Sequence, residues 1–547
     1  MKRFYFLVLL SLVIRANAQS TYDRVYTILQ ANCTGNCHNS SSHLGNLDLS
    51  GNHQGVYNAL VEVTPTNAAA ATAGNYRIDP GDPRNSFLFK KVHRGLDANL
   101  SLTAAENPST HDTLTALTQV EREMIRQWIL FGAKDTGTWV SEATITGFYV
   151  GQGGQPRVQP LAPPAAGQGV QLHWGPVFMQ PGAEWEYNNK HYVRNSGKID
   201  VTHMNTVMND ESHHYALFKY WPGHDTLPMF SKGMHKVNNI GDEAILFYNT
   251  DVVAQWPNGI DIQFPQGTAM VWDDKSVMSI SYHLINYNDS IIAAETYTNL
   301  YYEPHNPTVN PILTAPVRYG GNDVSSLVIF GTDQDTTFVI DQHDPDSAFL
   351  WNIISMQAHT HKLGTDYNVW TRKLNGQKDS LVYDGSYDAT YTYDQGIYIW
   401  NDPPYRRFDP PMPVDMTRGF IHEATFHNPG PDTVGFGLTA DDEMYVTFIV
   451  YYKTDYTSQQ NISVDDNLKC YPNPTAHWCS IELKESIVPG NMQFKLYDIL
   501  GNQVAGMDNI TDRRFGVDVG DLSSGYYVYR LFNNGQPVAS GKIAVER

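Results

Sequence analysis

The sequence predicts a multidomain, mainly β protein. A small α-helical domain comes first, two β-sandwich domains occupy the middle, and a small β-sandwich ends the chain. Three observations carry that expectation. The 547 residues are enough for three or four domains. Helical apolar spacing occurs in the first 137 residues, and short β-rich runs punctuated by Asn, Asp, Gly and Pro follow from about residue 170. Hydrophobic content of 41% and aromatic content of 12% suit packed modules, not disorder.

Charge and the N-terminal segment narrow the function classes. A net charge of -20 argues against nucleic acid, whose phosphates need a basic surface, and against docking on anionic membranes. Residues 1–18, "MKRFYFLVLLSLVIRANA", have a basic start, an apolar run and a small-residue end at Ala18, the pattern of a secretory signal peptide. No later segment holds about 18 uninterrupted apolar residues, so no transmembrane helix is expected in the mature chain. An exported protein can carry disulfides, copper or haem. The four cysteines stand at 33, 37, 470 and 479, so residues 38–469 must hold their fold by core packing.

The elements follow in order. In residues 19–137, Tyr22, Val25, Tyr26 and Leu29 mark one face of a helix running towards Cys33. A second helix starts at Thr118, with Glu121 completing a capping box, a stripe of Val120, Met124, Ile125, Trp128 and Ile129, and Gly132 as its stop. Between them "YRIDPGDPRNSFLFKKV" is a turn-rich loop entering a short helix. Residues 138–169 are rich in Gly, Gln and Pro and read as a linker or domain entrance, with "ATITGFYV" as a strand. Runs such as "SVMSISYHLINY" and "EMYVTFIVYYK" place two sandwiches at 170–304 and 305–455. A linker at 456–467 leads to a last β-module at 468–547.

The middle region holds the chemistry. His213 and His214 are adjacent in "SHHYALFKY"; on a regular strand they point to opposite faces, so joint ligation of a metal requires a twist or bulge. His283 lies in the strand-like "SISYHLINYND", where a buried imidazole needs a partner. His359 and His361 in "AHTHKLG" are two apart and share a face, and Met444 opens a strand. Imidazole suits copper and a thioether favours Cu(I), whereas zinc more often recruits cysteine or carboxylate. Among 20 histidines an isolated H-x-H is weak evidence, since most are surface or hydrogen-bonded core residues.

In this order, "SHHYALFKY", "YHLINYND", "AHTHKLG" and "GFGLTADDEMYVTFIVYY" resemble the copper type II, ascorbate-dependent monooxygenases, the family of the peptidylglycine alpha-hydroxylating and dopamine beta-monooxygenases. The similarity spans about residues 170–455. It implies two packed β-sandwiches with a copper ion on each. His213, His214 and His283 would bind the copper that supplies an electron; His359, His361 and Met444 would bind the catalytic copper where oxygen is activated. The implied reaction hydroxylates a C–H bond of a small organic substrate with O2, using an external reductant or redox protein. Two positions depart from the peptide-amidating members. Gln357 and Phe448 stand where those have an arginine and a tyrosine that contact the peptide carboxylate. Glutamine cannot form the charged fork, so peptide C-termini are not the expected substrate.

At the N-terminal end "CTGNCH" places three residues between Cys33 and Cys37, one more than the C-x-x-C-H of haem attachment. Haem attachment, a Cys33–Cys37 disulfide and a zinc clip with His38 and His43 are all open on spacing alone. With "RIDPGDPRNSFLFKKV" and "EREMIRQWILFGA", the segment resembles the cytochrome c-like modules of exported bacterial proteins. That resemblance implies one haem c held by Cys33 and Cys37, His38 as the proximal iron ligand, and His111 or His93 on the distal side, because "NLSLTAAENPSTHDTLTALT" offers no methionine. Electrons would then enter through the haem. The last module, with "YPNP", "FKLYDILGNQV", "LSSGYYVYRL" and "GKIAVE", resembles the C-terminal sorting domain of the type IX secretion system of Bacteroidetes. It implies contact with that machinery and passage through the periplasm to secretion or the cell surface, with Cys470 and Cys479 either bridged or free. The alternative function is a non-catalytic extracellular copper-binding, substrate-binding or electron-transfer protein.

Overall fold

A computed structural model describes residues 19–547 apart from 108–115, 153–156, 228–230, 238–245, 257–258, 322–323, 387–397, 438, 456–467, 485–489, 499–501 and 534–535. The signal segment and His111 lie outside the described residues. The chain divides into two compact units, Met1–Lys453 and Thr454–Arg547.

The first unit opens with helices where the apolar periodicity places them. Thr21–Cys33 is capped by Ser20 and Asp23, and Gln119–Leu130 by Thr118 and Glu121, each with both hydrogen bonds of the box. The two helices meet where the Tyr22 ring stacks on Trp128 at 5.1 Å, over a core that includes Val25, Leu29, Ile125 and Ile129. Gly132 ends the second helix at φ +93°, and a Cβ there would stand 2.7 Å from the Lys232 carbonyl oxygen. Glycine thus lets the helical part and the strands touch backbone to backbone, and the Met234 N–H donates to the Leu130 carbonyl at 2.9 Å.

The segment "ATITGFYV" is not a strand. The Ser141 hydroxyl accepts from the Thr144 N–H and caps a short helix, Glu142–Gly147, so local capping overrides the β-branched composition. The 138–169 stretch is also tied down beyond a simple linker, because Arg157 pairs with buried Glu295 at 2.7 Å.

From residue 169 the chain is β-structure. One sheet takes Gly169–Met179, Ile292–Pro304, Ile199–Met208 and Thr268–Trp272 in that order, and continues through Asn310–Arg318, Tyr445–Asp455, Phe349–Thr360 and Tyr405–Asp415. The join between the halves is a short parallel contact, Asn310 with Thr268 and Pro311 with Ala269. The two expected sandwiches therefore share a continuous hydrogen-bonded sheet. A second sheet contains Glu184–Tyr192, Val277–Ile285, Ser212–Tyr220 and Thr250–Trp256. Trp174, Met204 and Leu300 of the long sheet share a core with Leu217, Ile280 and Tyr282 of this one. A third, of Asp335–Gln342, Phe420–His427, Gly364–Arg372 and Lys378–Asp384, shares Tyr367, Phe420 and Phe426 with Ile353, Met356 and Ile449 of the long sheet's other half.

One further apolar cluster positions the site. Ala216 and Phe218, from the paired-histidine strand, and Val252 pack with Val446 and Phe448 of Tyr445–Asp455. This contact brings the His213–His214 strand of the first half against the elements carrying His359, His361 and Met444.

The second unit has a three-stranded sheet (Leu468–Tyr471, Trp478–Leu483, Arg514–Asp518) and a four-stranded one (Gln503–Ile510, Met492–Tyr497, Gly525–Asn533, Gln536–Val545) around Ile481, Phe494, Leu496, Leu531 and Ile543. Cys470 and Cys479 are free thiols in hydrogen-bond contact within it. Among the described residues no helix is long and apolar enough to cross a membrane.

Candidate metal centre

His213 and His214 do face one site, and the bulge that adjacent ligands require is present. Ser212 pairs with Leu284 and His214 with His283, so His213 is the extra residue in the ladder between Ser212–Tyr220 and Val277–Ile285. Across the interface, His359 near the end of Phe349–Thr360 and His361 just beyond it point towards the same place. The result is one cluster of five buried imidazoles. Two groups within it, His213–His214–His283 and His213–His359–His361, have their candidate ligand atoms within 4.8 Å of one another.

Three of these rings have a carboxylate or carbonyl partner. Glu184 Oε1 lies 2.8 Å from His283 Nε2, and Glu186 Oε1 lies 3.4 Å from His214 Nε2. The Asp442 carbonyl sits 3.2 Å from His361 Nδ1. Carboxylate and carbonyl partners of this kind fix the tautomer and orientation of a ligating ring. The other nitrogens, His214 Nδ1, His283 Nδ1, His359 Nε2 and His361 Nε2, are buried without a hydrogen-bond partner, as are both nitrogens of His213. Protein interiors rarely leave so many polar atoms unsatisfied, and a metal ion held by these nitrogens would account for them.

Electrostatics favour the neutral form of four of the rings. Burial, reinforced by the neighbouring imidazoles, holds His213 and His359 well below the usual histidine range and His361 at about 3. His214 is also lowered by burial, against the pull of Glu186. Burial would raise Glu186, yet the hydrogen bonds from His214 and Ser281 and the charge interactions with His214 and His283 together outweigh it and lower the carboxyl to about 2. Neutral imidazoles are the form that binds a metal. Beside them burial pushes the Glu443 carboxyl up to about 8, against the N–H groups of His361, Leu363 and Met444, which it accepts at 2.9, 2.6 and 3.1 Å. Glu443 thereby ties the H-T-H segment to the methionine.

Met444 is buried and lines a cavity of about 80 Å³ together with His214, His359, Phe218, Phe448 and Arg318. Phe448, at the position noted as a departure, is thus an apolar wall of that cavity; Gln357 is buried with its Oε1 unpartnered. Neutral imidazoles, a nearby thioether and no cysteine make a donor set that fits copper. The histidines and Met444 were legible in the sequence. Glu184, Glu186 and Glu443 were not singled out, although E-x-E in "EWEY" places two carboxylates on one strand face.

In the helical part, Cys33 and Cys37 are free thiols on the turn closed by the His38 N–H to the Cys33 carbonyl at 3.1 Å. The His38 ring follows directly, so the two thiols and the imidazole of the expected haem-attachment set share one turn. Burial pushes the Cys33 thiol up to about 11. The zinc clip is not assembled: among the described residues the groups placed closely enough to hold a metal ion are the two histidine groups above, and His43 turns to Asp48. Met124 is buried in the helical core, as its place on the stripe predicts.

Residues 469–546 match the family described as the secretion system C-terminal sorting domain. The C-terminal module is a type IX sorting domain. The protein is accordingly a client of that secretion machinery, exported to the cell surface or beyond. No curated protein matches the chain. Among solved structures, the chain is similar to the major capsid protein P2 of bacteriophage PM2, with 9% identity and a TM-score of 0.23 over 53% of this chain and 99% of that one. Domains 3 and 4 of rat CD4 give 9% identity and a TM-score of 0.13 over 39% and 95%. At these scores neither likeness carries an argument.

Proposed function

We propose that the protein is an exported copper-dependent monooxygenase that hydroxylates a C–H bond of a small organic substrate with O2. The observation that carries this reading is the convergence of five buried imidazoles, with unpartnered ring nitrogens, beside an apolar cavity that Met444 also lines. His213, His214 and His283 would hold one copper, and His359, His361 and Met444 the other. Copper bound there supplies one-electron redox chemistry and oxygen activation. The chain's own residues do the rest. Glu184, Glu186 and the Asp442 carbonyl orient three of the rings. Glu443 fixes the backbone of the H-T-H segment. Phe218, Phe448 and Met444 present apolar walls to a substrate and keep water from it.

The helical part fits a haem c domain that feeds electrons to this centre, with Cys33 and Cys37 as attachment thiols and His38 as an iron ligand. Metal and haem analysis of the secreted chain, followed by oxygen uptake with a reductant and product analysis, tests the whole reading. Two coppers, one haem and a hydroxylated product are expected, whereas zinc alone overturns it. Copper binding without oxygen uptake would favour the binding or electron-transfer alternative.

A further inference from the structure

Resting on that copper reading, we propose that His213 ligates both metal ions. Its ring would bridge them as an imidazolate, making the two histidine groups one dinuclear centre in place of two separate sites. His213 is the common member of both groups. Its ring centroid lies 5.4 Å from His214, 5.0 Å from His283, 4.9 Å from His359 and 5.2 Å from His361, so it stands in the middle of the cluster.

Ring nitrogens separate His213 from its neighbours. His214, His283 and His361 each spend one nitrogen on a carboxylate or carbonyl and keep one, and His359 has one unpartnered nitrogen. His213 has two, with the residue only 2% exposed. A neutral imidazole carries one N–H donor and one lone pair, and both need partners when buried. The bulge leaves His213 without a partner in the ladder, and Trp400 covers its ring at 4.9 Å.

Charge and atoms balance simply. The first ion takes the lone pair of one nitrogen. Binding of the second displaces the proton on the other nitrogen to solvent, as metal loading generally releases protons, and no electron is transferred on binding.

Titration of the full, metal-free chain with Cu(II) tests this, with bound copper, released protons and integrated electron paramagnetic resonance intensity followed together. The expected result is two bound ions per chain, with spin intensity falling below the copper content as the second ion enters. In His213→Gln, which offers one ligand atom at most, spin intensity should equal bound copper. If that variant fails to fold, the wild-type titration decides alone. Two ions with full spin intensity at every loading overturn the bridge and leave the copper reading standing. Saturation at one ion overturns the bridge and the two-copper assignment alike. No copper binding overturns the bridge and the copper reading.

Discussion

One oxygen of Glu184 joins the two halves of the centre: Oε1 lies 2.8 Å from His283 Nε2 and accepts the Ala440 N–H at 2.8 Å. His283 belongs to the first histidine group, and Ala440 to the loop that carries Asp442, Glu443 and Met444. The carboxylate therefore orients a candidate ligand and anchors the opposite loop at once. Glu184→Gln keeps the shape but loses the charge and cannot satisfy both donors equally. Copper affinity should fall about 10–100-fold, the usual effect of removing such a partner. Competitive titration with a copper chelator measures it, and unchanged affinity would refute the orienting role.

Met444 is separable from the histidines by a substitution that preserves volume. Met444→Leu should stay within about 1.5 kcal/mol of wild-type stability. It removes the thioether, so copper should still load on the imidazoles while hydroxylated product disappears. Product formation at the wild-type rate would remove Met444 from the catalytic site.

The sequence made the site more legible than its surroundings. Ring-bearing residues announce their chemistry by type, and the H-x-H spacing fixes a shared face on any strand, so His359 and His361 could be read directly. The pairing of His213 with His214 could be read only as a condition, a bulge, because register depends on a partner strand 70 residues away. The capping box at Thr118–Glu121 was legible because it is local. The sheet that runs through both halves was not, since it depends on two residue pairs, Asn310–Thr268 and Pro311–Ala269. The strand expected at "ATITGFYV" lost to a serine cap at its edge, a competition between composition and one hydrogen bond. Glu186 and Glu443 are buried, and Glu184 half-buried, by tertiary packing that no local pattern reveals.

The thiols of the first domain give a direct test of the haem reading. Cells that attach c-type haem should yield a chain with covalently bound haem, visible in a pyridine haemochrome spectrum. Cys33→Ser or Cys37→Ser should leave a single thioether link, and the double variant should retain none after denaturation. A wild-type chain with two titratable thiols and no covalent haem would end that assignment. In such a chain Cys33 should alkylate slowly, because burial keeps its thiol protonated at neutral pH.

Deletion of residues 468–547 should trap the protein in the periplasm while leaving the first unit folded, because that unit has its own cores. Fractionation with immunodetection reads the location, and normal export of the truncated chain would contradict the sorting role.

A buried histidine outside the five-imidazole cluster sets part of the acid sensitivity. His422 bonds neutral partners, Gln342 Oε1 at 2.9 Å and Thr447 Oγ1 at 3.0 Å, and burial lowers its pKa to about 3. Unfolded histidine titrates near ~6.5. The folded state therefore prefers the neutral ring, and the unfolded chain takes up the proton first as pH falls. The stability His422 contributes is intact above about pH 6.5 and declines below it, with a limiting slope of about 1.4 kcal/mol per pH unit. His422→Gln lacks this linkage. Its deficit against wild type, measured by urea unfolding, should narrow on going from about pH 7.5 to about pH 5. A deficit that stays constant over that range would show that His422 is not the group that titrates.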